Sequence, residues 1–388
     1  MSARQFYLML FIFTISLKVQ KMPALLAAKL GKDGYVLLLF YFVIDLIGIL
    51  LAFFIINYSK KYNFQDKGSW LYMTIRGIIL LACSIYFMLQ CLLLYESIQD
   101  LFSHILFDNL SWALFSLLLI VALFYLAITG LKNIGRVTEV YFFIIFLSYL
   151  IIAIFGGTQT DFSSVLPFQT IDMHAVFDCY VPFNLWFGDF FLVLFIGRYS
   201  KEIKLRWTLL TYALSMALTI FMFIAFFGIY GVYSSAQSSL ISVLSEHSML
   251  GVDVGRIDWF LILFTQIGTI LSSSLCLYLA GFCISKTFPK VKNYWIFIFL
   301  VLILYLADVL LFVDLNSKIL LFVNLGCVLS TIVKCAVFLF LLIACLLSLA
   351  TKKQGKNTDL DEQNKTRQPS SKKRVKGVKA WRCFSKNT

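Results

Sequence analysis

Charged residues are scarce in this chain, which holds 14% Asp, Glu, Lys and Arg against 61% hydrophobic residues. Soluble domains carry roughly 25% charged residues, so water is excluded as the solvent for most of the chain. A bilayer core needs about 20 apolar residues for each crossing helix. The length of 388 residues therefore predicts an all-α polytopic membrane protein with about ten transmembrane helices.

The motifs of catalysis and metal binding are also lacking. Nine cysteines form no CxxC pair, so neither a disulfide framework nor a metal cluster is indicated. No nucleophile elbow, phosphate loop or HExxH is present, which predicts no enzyme activity, no catalytic residue and no cofactor. His104 with Asp108 and His174 with Asp178 share an HxxxD spacing that suits a metal pair, but each copy is isolated.

Apolar runs predict helices over residues 5–29, 34–57, 69–95, 110–130, 138–156, 173–198, 207–231, 257–285, 293–313 and 319–350. Short loops rich in Lys and Arg are retained in the cytoplasm. Such residues occur in alternate loops, namely Lys60, Lys61, Lys67, Lys132, Arg136, Arg198, Lys201, Lys204, Arg206, Lys286, Lys290 and Lys292. The intervening loops hold only Arg256 and Lys318. The alternation predicts a multi-pass cell-membrane protein with both termini in the cytoplasm.

The composition changes abruptly after residue 350. Residues 351–388 hold twelve Lys or Arg against three acidic residues. Such a segment buries too little apolar surface to fold alone, and it is attracted to anionic lipid. We therefore predict a transmembrane domain over 1–350 and a basic, disordered cytoplasmic tail over 351–388. Aromatic residues are sparse in the tail, so nucleic acid is not a predicted partner.

Two of the ten predicted helices are interrupted at membrane depth. The first carries polar residues just before Pro23, and the sixth contains Pro182, Asn184, Gly188 and Asp189. If the chain is two five-helix units, the second enters from the opposite side, so the units are inverted repeats that each begin with a broken helix. A break exposes N–H groups to a ligand carboxylate and C=O groups to a cation or ammonium.

The candidate site follows from these breaks. Its predicted ligand-binding residues are Lys18, Gln20, Lys21, Asn184, Gly188 and Asp189. Asp45 lies near mid-depth and needs a charge partner, for which Lys18, Lys21 and Lys334 remain open. Hydroxyls on the eighth helix either bond to neighbouring helices or line an ion path, the latter assigned to Ser272 and Ser274.

Three short motifs carry a family resemblance. They are Ser2-Ala-Arg-Gln-Phe6 entering the first helix, Lys132 to Glu139 before the fifth, and Asp161 to Pro167 after it. With length, helix count and loop pattern over roughly 1–350, the chain resembles the GerAB-type spore germination permease family of the amino acid, polyamine and organocation transporter superfamily. The resemblance implies two inverted five-helix repeats and a small-molecule site, for an amino acid, between helices one and six. It also implies partner receptor subunits and the inner spore membrane.

Three functions are compatible with this reading. The first is a permease-like subunit that senses a small solute in a germination nutrient receptor. The second is an ion-coupled secondary amino acid transporter in which Asp45 or a lysine titrates. The third is a structural membrane subunit with a vestigial site. The resemblance favours the first.

Overall fold

The computed structural model describes residues 1–61, 70–105, 112–162, 173–200, 202–237, 239–246, 258–312 and 326–339. Within these ranges every regular element is helical, which confirms the all-α prediction. The predicted basic tail and both ends of the predicted tenth helix, 319–325 and 340–350, lie outside the described residues.

The helices are numbered here along the chain. They are α1 Ala3–Val19, α2 Met22–Leu30, α3 Gly34–Lys61, α4 Trp70–Ile105, α5 Trp112–Thr129, α6 Leu131–Thr158, α7 Met173–Asp178, α8 Tyr180–Phe183, α9 Asp189–Gly197, α10 Leu205–Tyr230, α11 Leu240–Glu246, α12 Asp258–Thr287, α13 Asn293–Phe312 and α14 Gly326–Leu339. Short 3₁₀ turns occupy Gly31–Asp33, Asn184–Trp186 and Gly231–Ala236.

Length and apolar composition identify the helices that are able to cross a bilayer. Among the described residues six qualify, at Met22–Asn57, Arg76–Phe102, Leu131–Thr158, Tyr180–Gly197, Leu205–Tyr230 and Trp259–Thr287. Three shorter apolar helices lie at Phe115–Thr129, Asn293–Asp308 and Gly326–Leu339. These helices are those of a membrane protein, whereas ten spans in two inverted repeats remain a prediction.

Helix α1 lies in the interior of the protein. Its N-terminus is closed by a capping box, in which Ser2 Oγ accepts from the Gln5 backbone N–H at 3.2 Å and Gln5 Oε1 accepts from the Ser2 N–H at 3.2 Å. Every side chain from Met9 to Val19 is buried, and the helix packs against α6, α10 and α12. Polar side chains on α1 must therefore find their partners inside the protein.

Two predicted helix boundaries are wrong. The third predicted helix ends at residue 95, but α4 continues to Ile105 because Lys21 Nζ lies 3.2 Å from Glu96 Oε1 and also pairs with Asp100. This lysine compensates one of the two negative charges in the turn that the sequence prediction assigns to a loop. The fifth begins at Leu131 rather than 138, directly after Gly130, whose positive φ of 88° separates α5 from α6.

Candidate functional site

The interruptions in the first and sixth predicted helices meet each other. Helix α1 stops at Val19 and α2 starts at Met22, with Pro23 in its first turn, where a missing N–H costs nothing. The sixth predicted helix divides into α7, α8, a 3₁₀ turn and α9. Gly188, at φ 111° and ψ 35°, supplies the left-handed conformation that starts α9.

An ion pair joins the two breaks. Lys18 Nζ, on the last turn of α1, lies 2.5 Å from Asp189 Oδ2, on the first turn of α9, and both side chains have no solvent exposure. Thr14, one turn earlier on α1, donates its hydroxyl to Asp189 Oδ1 at 3.0 Å. Each charge of this pair is therefore compensated by the other, because neither side chain is exposed to solvent.

Asp45 binds the N-terminus of α9. Its Oδ2 accepts the backbone N–H of Gly188 at 3.0 Å, that of Asp189 at 3.4 Å and the Tyr212 hydroxyl at 3.4 Å. Free N–H groups and the helix dipole make such a terminus an anion site. The position at which the sequence predicts a ligand carboxylate is thus occupied by a carboxylate of the chain itself.

Lys334 binds the opposite side of the same break. Its Nζ donates to the backbone carbonyl of Asn184 and, at 2.6 Å, to Asn184 Oδ1. Asn184 Nδ2 in turn donates to Thr331 Oγ1 at 2.8 Å, so α14 holds both ends of this amide. The ammonium group also lies 5.6 Å from the centre of the Tyr86 ring. A carbonyl freed by the break is therefore satisfied by an ammonium group.

Helix α4 provides hydrogen-bond donors to two further carbonyls of the unwound segment. The Tyr86 hydroxyl donates to the Phe187 carbonyl at 2.5 Å, and Gln90 Nε2 donates to the Leu185 carbonyl at 3.1 Å. Gln90 Nε2 also lies 2.6 Å from the Tyr86 hydroxyl. Backbone groups without a partner are costly in a bilayer, so these side chains allow the chain to unwind at this depth.

The four ionisable groups at the breaks form what we call the charge quartet, Lys18, Asp45, Asp189 and Lys334. All four are buried. Two carboxylates and two ammonium groups carry no net formal charge, which agrees with the high cost of a buried charge that lacks compensation. At the second break, backbone N–H groups bind a carboxylate and a backbone carbonyl binds an ammonium group, so the unwound segment offers one position for each sign of charge.

The structure brings most of the predicted site residues together. Lys18, Asp45, Asn184, Gly188 and Asp189 converge at the breaks. Four predicted residues bind other partners. Gln20 Nε2 donates to Thr269 Oγ1 at 2.9 Å, and Lys21 pairs with Glu96 and Asp100. Ser272 Oγ donates to the Gly268 carbonyl at 2.9 Å, and Ser274 Oγ donates to the Ile270 carbonyl at 2.8 Å. Both serines bond to their own helix.

Several residues of the site have a different role, or none, in the prediction from the sequence. The sequence marks Lys334 only as one candidate partner for Asp45, whereas its hydrogen bonds go to Asn184. Tyr86 and Tyr212 are ordinary apolar-helix residues by pattern, and no sequence signal separates them from other tyrosines. Thr14 is one of the polar residues that interrupt the first predicted helix. Its target on α9 depends on tertiary packing.

The described residues do not form the metal pair that the two HxxxD spacings would suit. No group of three or more His, Cys, Asp or Glu side chains there is placed to hold a metal ion. His174 Nδ1 lies 3.0 Å from Asp178 Oδ2 on an exposed turn. Asp108, the partner proposed for His104, lies outside the described residues.

Comparison with known families gives one match. A family model described as spore germination protein, the spore permeases, matches residues 1–317. No curated protein matches the chain. The matched region contains Lys18, Asp45, Asn184, Gly188 and Asp189, while Lys334 follows it.

Proposed function

Because this chain belongs to the family of spore germination permeases, we propose that it is a membrane subunit that binds an amino acid at its two helix breaks and takes part in a germination nutrient receptor. Membership implies a transporter or receptor-like membrane protein rather than an enzyme. The ligand class, the receptor role and the partner subunits are our proposal.

One observation carries the proposal. A carboxylate, from Asp45, binds the N–H groups that start α9, and an ammonium, from Lys334, binds the carbonyl of Asn184. These are the two charged groups of every zwitterionic amino acid. An amino acid is therefore able to replace the internal partners one for one, and the neutral sum of the charge quartet is kept.

The charge quartet also supports a structural role. Its four side chains are buried and hydrogen-bonded, so the breaks are stable without a ligand. A structural membrane subunit with a vestigial site needs no more than this. Binding experiments separate the two functions, because only a working site gains stability from a solute.

The first test is ligand binding to the purified full chain in detergent. We expect one class of amino acid to raise its melting temperature, since a ligand at 100 times its Kd adds about 2.7 kcal/mol of stability. The variant Asp45→Asn keeps the shape of the side chain but leaves the charge quartet with a net positive charge. A ligand carboxylate then competes with a weaker, neutral acceptor, so Asp45→Asn is expected to tighten binding by about tenfold, or 1.4 kcal/mol.

The control is Glu139→Gln, which removes the same charge from a pair with Arg4 whose side chains are 32% and 74% exposed. Its affinity is expected to equal that of the unmodified protein. If a cooperatively melting protein gains no stability from any amino acid, the structural function is favoured. Equal affinities in Asp45→Asn and Glu139→Gln would place the ligand elsewhere. Uptake of the bound amino acid into sealed vesicles would instead favour the ion-coupled transporter.

We also propose that ten spans place both termini in the cytoplasm and that the basic tail lies against anionic lipid. The charge alternation of the loops supports this orientation. A green fluorescent protein fused after Thr388 is expected to fluoresce, and alkaline phosphatase inserted within residues 232–256 is expected to be active. An active phosphatase fused after Thr388 would contradict the orientation.

A further inference from the structure

A small set of buried polar atoms has no hydrogen-bond partner. In the part of the chain that the structure describes, they are Gln20 Oε1, Ser239 Oγ, Gln266 Nε2 and Gln266 Oε1. The three side chains are at least nine-tenths buried. Buried polar groups without partners are rare in native proteins, and each calls for a physical explanation.

These atoms belong to one place in the fold. Gln20 follows the last residue of α1, and its Nε2 donates to Thr269 on α12 at 2.9 Å. Gln266 precedes Thr269 by three residues on the same helix, which places both on one face. The backbone carbonyl of Gln20 accepts from the Leu240 N–H at 3.4 Å, and Ser239 is the residue before Leu240. We call Gln20, Ser239 and Gln266 the amide cluster.

The amide cluster lies next to the charge quartet along the chain. Gln20 is two residues after Lys18 on the segment that ends α1. A ligand whose charged groups engage the charge quartet is therefore close to the segment that carries Gln20. The cluster itself contains no ionisable side chain, so the group that it recognises is polar and uncharged.

The unpaired atoms define the chemistry of this group. Two are acceptor oxygens, of Gln20 and Gln266, and one is the amide nitrogen of Gln266, which has two N–H donors. A primary carboxamide offers two N–H donors and one carbonyl acceptor. It is able to form two parallel hydrogen bonds with Gln266 and a third, through its second N–H, with Gln20. The Ser239 hydroxyl is free to donate to the same carbonyl.

We propose that the amide cluster binds an uncharged carboxamide of the ligand, which narrows the ligand to an amino acid with an amide side chain, such as asparagine or glutamine. The inference rests on the proposed function for the position of the charged groups. A side-chain carboxylate of the same shape brings only acceptors to two acceptor oxygens, so the cluster rejects it.

The experiment compares isosteric ligands on the purified full chain by thermal shift and calorimetry. We expect L-glutamine or L-asparagine to bind at least about tenfold more tightly than L-glutamate or L-aspartate, because a site built for hydrogen bonds rejects analogues that cannot form them. In Gln266→Met this preference is expected to fall below about threefold. Thr265→Val, on the same helix and buried, is the matched control and keeps the preference.

A second measurement is independent of amino acids. Gln266→Met removes two unpaired atoms, so the ligand-free variant is expected to melt at a higher temperature than the unmodified protein. Propionamide and propionate then serve as probes without an amino or carboxyl pair. Binding of propionamide, but of no amino acid, keeps this inference and overturns the proposed function. Binding of amino acids with no preference for the amides overturns this inference and keeps the proposed function. Binding of neither propionamide nor any amino acid overturns both.

Discussion

Replacing Asp189 with Leu is expected to lower the free energy of unfolding by about 3–5 kcal/mol, because it leaves Lys18 as a buried charge without its partner. The carboxylate lies 2.5 Å from Lys18 Nζ, and neither side chain has any exposure to solvent. The Thr14 hydroxyl loses its acceptor in the same variant. Reversible unfolding of the purified protein in a denaturing detergent, followed by tryptophan fluorescence, measures the change.

The double variant Lys18→Met with Asp189→Leu separates the pair from its surroundings. Replacing a buried ion pair by apolar residues of similar volume is often neutral or stabilising, so the double variant is expected to recover most of the lost stability. Arg4→Leu, at the exposed pair with Glu139, is expected to cost no more than about 1 kcal/mol. A double variant as unstable as Asp189→Leu would mean that other contacts, rather than the uncompensated charge, explain the loss.

The same double variant tests what the pair is for. If the pair of Lys18 and Asp189 is only a structural connection between α1 and α9, the recovered protein keeps the ligand binding of the original. If it binds an amino acid, the recovered protein is stable and yet has lost both a cation and an anion from the site. A stable protein without ligand binding is therefore the result that assigns the pair to recognition.

The two helix breaks follow from the sequence because their causes are local. Pro23 and the polar residues before it limit α1, and Pro182 with Gly188 limits the helices on either side of the second break. Local chemistry of this kind is visible without a structure. The same reasoning assigns Lys18, Asn184 and Asp189 to one region; in the structure Lys18 pairs with Asp189, and Asn184 binds Lys334 at the same break.

The contacts of Asp45 depend on tertiary packing, which the sequence pattern does not show. The charge pattern offers three lysines as partners, but the hydrogen bonds of Asp45 come from the backbone of Gly188 and Asp189 and from the Tyr212 hydroxyl. Backbone N–H groups have no signature in the sequence, and the tyrosine belongs to a helix more than 150 residues away. Such contacts depend on how α3, α9 and α10 pack together.

The C-terminal boundary of α4 also depends on a residue that is distant in the sequence. The sequence prediction ends the helix where the apolar run gives way to Glu96. Lys21, from another part of the chain, pairs with Glu96 and offsets part of the cost of carrying acidic residues on the helix, which continues to Ile105. The unpaired atoms of Gln20 and Gln266 are beyond sequence reasoning for the same reason, since an amide is unpaired only relative to its neighbours in space.

Gly188→Ala is expected to destabilise the protein more than the same change at other glycines with positive φ. At φ 111° an alanine is strained, at a cost of about 1–3 kcal/mol. Its Cβ would also lie 2.5 Å from the Tyr86 hydroxyl and 2.8 Å from Lys334 Cε. Both side chains are able to move, but Tyr86 would then lose its bond to the Phe187 carbonyl and Lys334 its bonds to Asn184. Those losses add about 1–3 kcal/mol.

Gly130→Ala is the matched control for this prediction. Gly130 has φ 88°, which strains an alanine in a similar way, but no atom lies within 4 Å of the Cβ that it would gain. The difference in unfolding free energy between the two variants therefore isolates the contacts of Tyr86 and Lys334, and we expect Gly188→Ala to be less stable by about 1–3 kcal/mol. Equal losses would mean that backbone strain alone explains the cost of Gly188→Ala, and that the contacts of Tyr86 and Lys334 do not stabilise the unwound segment.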